Sequence, residues 1–243
     1  MKIDSQFYIA ERFQGDFHIV REFKSLVAGS LKKKYDIDIN DIGTKLGQGS
    51  YGAAYQYGTD KVIKMTTDPS EAKTSAGLIN KHTKYICKIY RVLRWPRLSS
   101  IKVSEDLPRE QLKIYPTMFW IIQEYLPGRV ERESGYAENL DSFLDDEATY
   151  KTIDDYIKGF INDEEMKEDF ASYSEDYNIK SKDIDALIGM LQELNALGIQ
   201  FYDFHIGNLM RNYSGALKLI DIGKSKSRGG AKPEDIKLER LIK

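Results

Sequence analysis

Asp203, Asn208 and Asp221 lie in the stretch FYDFHIGNLMRNYSGALKLIDIGKS, residues 201 to 225, where acids and amides sit beside segments as apolar as ALKLI. Asn208 follows Asp203 by five positions and Asp221 follows Asn208 by thirteen. NYSG between them is turn-forming, and ALKLI reads as a strand ending at Asp221. A loop, a hairpin and a strand end can bring two carboxylates and an amide oxygen to one place. Oxygens of that kind suit magnesium, which is typically held by one or two carboxylates together with substrate phosphates. A second carboxylate near the metal can orient a hydroxyl nucleophile instead.

A second signal is glycine spacing. In LGQGSYGAAYQYG, Gly47, Gly49 and Gly52 form G-x-G-x-x-G, which lets a backbone approach phosphate oxygens with no Cβ in the way. A dinucleotide site would need a helix starting at the glycines, whereas AAYQYG and KVIKM favour strands. The glycines therefore belong to a hairpin, one that either covers phosphates or merely turns. Lys64 lies in KVIKM, twelve residues after Gly52. By alternation it shares a strand face with Val62, and an inward lysine needs anionic company. Phosphates could supply it, with Glu71 the nearest acid on the following helix; a surface lysine on an edge strand is the other reading.

The elements that must position these groups are legible around them. Residues 5 to 34 carry Ile9, Phe13, Phe17 and Val20 onward to Leu31 at three-and-four spacing, which predicts one or two amphipathic helices broken near Gly15. TKLGQGSYGAAYQYG, DKVIKMT, YICKIYRVL and MFWIIQEYL predict a small antiparallel sheet. DPSEAKTSAGLINKH interrupts it with a helix capped by Asp68 or Ser70 and opened by Pro69. After Pro127 and Gly128 an acidic stretch runs to about residue 180 with apolar residues at helical spacing. It is a solvated helical face, or else a docking surface for a basic partner. From Lys182, Ile184, Leu187, Ile188, Leu191 and Leu194 mark the clearest helix, which ends at Gly198 in a natural C′ position.

With 36 basic and 38 acidic residues the net charge is −2, which argues against a whole-molecule attraction to nucleic acid or anionic membrane. Cys87 is the single cysteine and sits in an apolar run, so a buried thiol is expected and no internal disulfide can form. MKIDSQFYIAERF has no apolar core of a signal peptide or membrane span, and the cytoplasm is the expected location.

Taken together these residues resemble the protein-kinase-like phosphotransferase superfamily. LGQGSYG is similar to its glycine-rich loop, VIK to the strand with the ATP-contacting lysine, and IIQEYLPG to the hinge. LNALGIQFYDFHIGNLM resembles the catalytic loop with its preceding helix, and LIDIG the DFG segment; all five occur in the family's order between residues 46 and 223. The resemblance implies that Asp203 accepts or orients the acceptor hydroxyl and that Asn208 and Asp221 hold magnesium. It implies that Lys64 contacts the α- and β-phosphates of ATP and pairs with Glu71, beneath Gly47, Gly49 and Gly52. It places adenine against the backbone of Glu124 and Leu126, with Gln123 as gatekeeper.

The departures matter equally. Phe201 and Tyr202 stand where protein kinases usually have His-Arg, so regulation through a phosphorylated activation loop is not expected. His205 stands where they usually have Lys, and D-x-H-x-G-N is closer to the loop of aminoglycoside and choline phosphotransferases. His205 either touches the γ-phosphate or braces the loop backbone. Only twenty residues follow Gly223, too few for the peptide-docking helices of protein kinases. The gap from Lys64 to Glu71 is short for the family, and the macrodipole alone would favour Glu71 in a first helical turn.

The expected fold is therefore α+β: a helical extension over 1–43, an ATP-binding N-terminal lobe over 44–126, and a reduced, mainly helical C-terminal lobe over 127–243. The expected function is Mg-ATP-dependent transfer of the γ-phosphoryl group to a hydroxyl of a protein serine or threonine, or of a small molecule. A nucleotide-binding module without catalysis, or transfer of the nucleotide itself, is the alternative in each case. No nucleic-acid or membrane partner is expected.

Overall fold

The computed structural model describes residues 32–33, 36–48, 52–66, 68–94, 119–223, 225–227 and 239–240. Most of the helical extension read over residues 5–34, and Gly49, lie outside them. The fold is mixed α+β, and its described residues fall into two compact units.

The first unit is built on a meander, β1 (Ile42–Gln48), β2 (Gly52–Tyr57) and β3 (Lys61–Thr66), with α1 (Pro69–Gly77), β4 (Ile89–Arg94) and β5 (Phe119–Glu124) completing it. The strands pair antiparallel in the order β1-β2-β3-β5-β4. Ile63, Trp120 and Ile121 are fully buried, as continuous apolar strands require. Helix α1 starts where its residue types dictate. The Asp68 carboxylate accepts the Ser70 N–H at 2.8 Å, and Pro69, which has no N–H to lose, opens the first turn.

Gly52 is a structural glycine. A Cβ built there would lie 2.0 Å from the Met65 carbonyl oxygen and 2.9 Å from the Thr66 Cα, so the close pairing of β2 with β3 excludes any side chain. Gly47 has nothing within 4 Å of the same construction. Gly52→Ala is expected to destabilise by about 1–3 kcal/mol as overpacking against rigid backbone, and Gly47→Ala to stay within about 0.5 kcal/mol. Urea unfolding of the two variants checks this.

The second unit opens with β6 (Gly128–Arg129) and continues through α2 (Tyr136–Asp145), α3 (Glu147–Lys158), α4 (Asp163–Asp176) and α5 (Ser181–Ala196). The acidic stretch is thus helical, with its apolar side buried: Phe143 packs edge to face on Phe170, centroids 5.7 Å apart. Many of its acids serve the helix ends. Asp146 caps α3 by accepting from Ala148 and Thr149, and Asn162 with Glu165 forms a capping box on α4. Helix α5 is followed by Gly198 at φ +68, the left-handed stop expected there.

Beyond α5 run β7 (Ile199–Phe201), β8 (Leu209–Arg211), β9 (Leu217–Leu219) and β10 (Ser225–Ser227), forming a β6-β8-β9 sheet and a β7-β10 pair. The hairpin between β8 and β9 turns at Gly215, φ +80, with Asn212 Oδ1 accepting from Ser214 and Ala216.

Two expectations need correction. The run YICKIYRVL is not one strand: Asn80–Lys88 belongs to the second unit, and only Ile89–Arg94 joins the first sheet. The Glu193 carboxylate takes the Lys84 and Tyr85 N–H groups at 2.6 and 3.0 Å, and Ile86 bridges in parallel to Leu219. Gly189 on α5 leaves room for the Tyr85 ring, which would stand 2.1 Å from a Cβ there. The C-terminal residues, expected in the helical lobe, supply β11 (Glu239–Arg240), which pairs parallel with Leu93 and Arg94 at the edge of the first sheet. Among the described residues no helix is long and apolar enough to cross a membrane.

Candidate functional site

In the first unit, register fixes the lysine. Lys64 pairs with Ala54 on one side and Ile121 on the other, and it shares its face with Val62 and Thr66. Its ammonium meets Glu71 Oε1 at 2.5 Å, with side chains 16% and 6% exposed. Glu71 thus does two things: it occupies the first turn of α1, where a negative charge is favoured, and it holds the lysine of β3. Such a pair is not needed for stability, because an apolar pair of similar volume serves a core at least as well.

The end of β5 shapes the next element. Glu124 pairs with Lys61, and the Tyr125 N–H donates to the Asp60 carbonyl at 2.9 Å. The N–H and C=O of buried Leu126 find no hydrogen-bond partner among the described residues. Gln123 is buried on the last turn of strand pairing, between Val62 and Ile89.

In the second unit, Asp203 sits in the loop after β7. Phe201 and Phe204, both buried, pack edge to face at 4.9 Å and fix the backbone around it. The Asn208 amide donates to the Asp203 carbonyl at 2.8 Å and reaches Asp203 Oδ2 at 3.4 Å. The Asn208 carbonyl accepts the Ile220 N–H at 2.9 Å, which extends the β8-β9 ladder to the residue before Asp221. Asp221 Oδ1 accepts the Gly223 N–H at 2.9 Å, and on the far side of β9 the Cys87 N–H donates to the Leu219 carbonyl at 2.8 Å. The Cys87 thiol is buried as expected.

His205 braces the loop. Its Nδ1 accepts the Gly207 N–H at 3.2 Å, which leaves the ring proton on Nε2, 3.7 Å from Asp203 Oδ2. A Cβ at Gly207 would fall 2.9 Å from the imidazole, so a side chain there would displace the ring. The ring is 46% exposed, and with Asp203 it borders an open cavity of about 510 Å³.

Asn208 and Asp221 fit magnesium by donor type. Both offer oxygens, and the buried Asn208 side chain has its nitrogen occupied by Asp203 while its Oδ1 accepts no hydrogen bond among the described residues. No group of three or more His, Cys, Asp or Glu side chains gathers for a metal among the described residues. These two ligands therefore suit an ion whose remaining positions are filled by phosphate and water, as magnesium's commonly are.

One group escaped the sequence reading. Arg211, on β8, binds Asp183 through Nη1 and Nη2 at 2.9 Å each and Glu133 through Nε and Nη2, the latter at 3.0 Å. Nη1 also reaches the Gly215 carbonyl at 3.2 Å, and the Tyr136 hydroxyl donates to Asp183 at 2.6 Å. This cluster ties the hairpin between Asn208 and Asp221 to helices α2 and α5. No protein-family model matches the chain, and no curated protein matches it.

Proposed function

We propose that this chain transfers the γ-phosphoryl group of ATP to a hydroxyl with the help of magnesium, its two units corresponding to the lobes of a kinase-like fold. The Lys64–Glu71 pair carries the reading: a charged pair placed by β3 and the first turn of α1, costly to bury, makes sense if its ammonium serves phosphate. Leu126 supports it, because its N–H and C=O suit the edge of adenine.

In this reading the acceptor hydroxyl gives its proton to Asp203 as its oxygen bonds to the γ-phosphorus. The bond from that phosphorus to the β,γ-bridging oxygen breaks, ADP leaves, and the proton passes on to water. Lys64 contacts the α- and β-phosphates, and Gly47 lets the β1-β2 hairpin approach them. Magnesium, held by Asn208 Oδ1 and the Asp221 carboxylate, would offset phosphate charge. Asn208 orients Asp203, and His205 keeps the loop in shape. A protein serine or threonine is the acceptor placed first; the D-x-H-x-G-N loop favours a small-molecule hydroxyl as the second reading.

Binding and chemistry separate by mutation. Mg-ATP is expected to raise the melting temperature of the parent; Asp221→Ala should abolish that rise, and Asp203→Ala should keep most of it. If all three respond alike, the metal assignment is wrong.

A further inference from the structure

We infer that Thr66 is a positioning residue for the Lys64–Glu71 pair: its hydroxyl occupies the backbone donor that would otherwise draw the Glu71 carboxylate back onto its own helix. The inference rests on the phosphotransferase reading, in which the pair presents its lysine to phosphate, and adds the residue that directs the pair.

The sequence DPSE, residues 68 to 71, has the form of a helix start that closes on itself. Asp68 is the N-cap of α1, and Glu71 stands at the third helical position. A glutamate there commonly reaches back to accept the N–H of the N-cap residue, while the N-cap side chain accepts an N–H of the first turn. The second half of this exchange is present, since the Asp68 carboxylate accepts the Ser70 N–H at 2.8 Å. The first half is replaced. The Asp68 N–H donates to Thr66 Oγ1 at 3.1 Å, and Glu71 turns to Lys64 instead. On α4 the same pattern runs to completion: with Asn162 at the N-cap, Glu165 accepts the Asn162 N–H at 2.9 Å.

The two helices differ two residues before the cap. Position 160 is phenylalanine, which has no acceptor, whereas position 66 is a fully buried threonine. A buried hydroxyl is costly unless bonded, and valine, of the same shape, would fill the site without that cost. Thr66 shares a face of β3 with Lys64, and only Thr67 and Asp68 carry the chain from that strand into α1. The hydroxyl therefore ties the strand that bears the lysine to the cap of the helix that bears its partner. A carboxylate in a first turn is drawn to the unsatisfied N–H groups of its helix as well as to a lysine, so Glu71 has two places to go. Thr66 closes one of them.

The test separates the hydroxyl from the shape. Thr66→Val removes the acceptor, and Thr66→Ser keeps it. In a crystal structure of Thr66→Val the Glu71 carboxylate is expected on the Asp68 N–H and away from Lys64. By calorimetry, Thr66→Val should weaken Mg-ATP binding about tenfold, the worth of one hydrogen bond to a charged group, and Thr66→Ser should recover most of the loss. In a chain that already carries Glu71→Ala, adding Thr66→Val should change the affinity by less than about twofold, because there is no carboxylate left to direct. A threonine that only supports the fold would cost the same in both backgrounds. Circular dichroism reports that each variant keeps its helices. Glu71 still on Lys64 in Thr66→Val, an unchanged affinity, or an equal loss with and without Glu71 overturns this inference and leaves the phosphotransferase reading standing. If the parent itself binds no Mg-ATP, that reading falls and the role given to Thr66 falls with it, whatever the crystal structure of the variant shows.

Discussion

Arg211→Met is expected to destabilise the protein by about 3–5 kcal/mol, the cost of stranding a buried charge. Asp183 is 1% exposed and takes two of its hydrogen bonds from this guanidinium. Methionine fills the volume of the arginine stem but offers nothing to the carboxylate. Replacing Asp183 with Leu in the same chain should recover part of the loss, because the uncompensated charge goes with it. Urea unfolding at neutral pH reads both values.

The same cluster sets an acid limit. Burial works against the Asp183 carboxylate, but hydrogen bonds from Arg211 and Tyr136 outweigh it and hold its pKa below the usual 3.8. Arg211 lowers that of Glu133 below 4.5. A depressed folded-state pKa means stability that is present in full above these ordinary values and is lost as pH falls through the folded ones. The unfolding midpoint of the parent should therefore drop more steeply below about pH 4 than that of the Arg211→Met, Asp183→Leu protein.

Asp203→Asn is expected to slow phosphoryl transfer by about 10²–10⁴-fold, the range for loss of a positioned general base. The substitution is nearly isosteric, and the 2.8 Å bond from Asn208 goes to the backbone carbonyl of residue 203, so the loop keeps its anchor. The loss should then fall on kcat, with KM for ATP changed by no more than about threefold. An unchanged kcat would remove Asp203 from the chemistry.

Local chemistry was the legible part of this fold. Asp68 and Pro69 announce α1 because capping and proline geometry act within a few residues, and Gly198 announces the end of α5 for the same reason. KVIKM shows its alternation, and with it the side of β3 on which Lys64 stands. What stayed hidden depends on partners distant in sequence. Arg211 lies 28 residues from Asp183 and 78 from Glu133, and nothing in MRNYSG indicates either. The two-residue strand Glu239–Arg240 is too short for any periodicity, and Asn80–Lys88 is set apart from the strand that follows by Glu193 and Leu219, both more than 100 residues away. Gly52 is instructive in another way: its spacing suggests phosphate, yet the approach of the Met65 carbonyl already requires it. Gly47 is the glycine whose presence packing leaves open for a ligand to explain.

The most direct measurement incubates the purified protein with magnesium and ATP labelled on the γ-phosphate, alone and with a cell extract separated into protein and small-molecule fractions, beside Asp203→Ala. Label entering a protein band or a small metabolite with the parent only, at the mass of a phosphoryl group and not of AMP, is the expected result. No transfer from either protein, while Mg-ATP still raises the melting temperature, would contradict it and leave a nucleotide-binding module without catalysis.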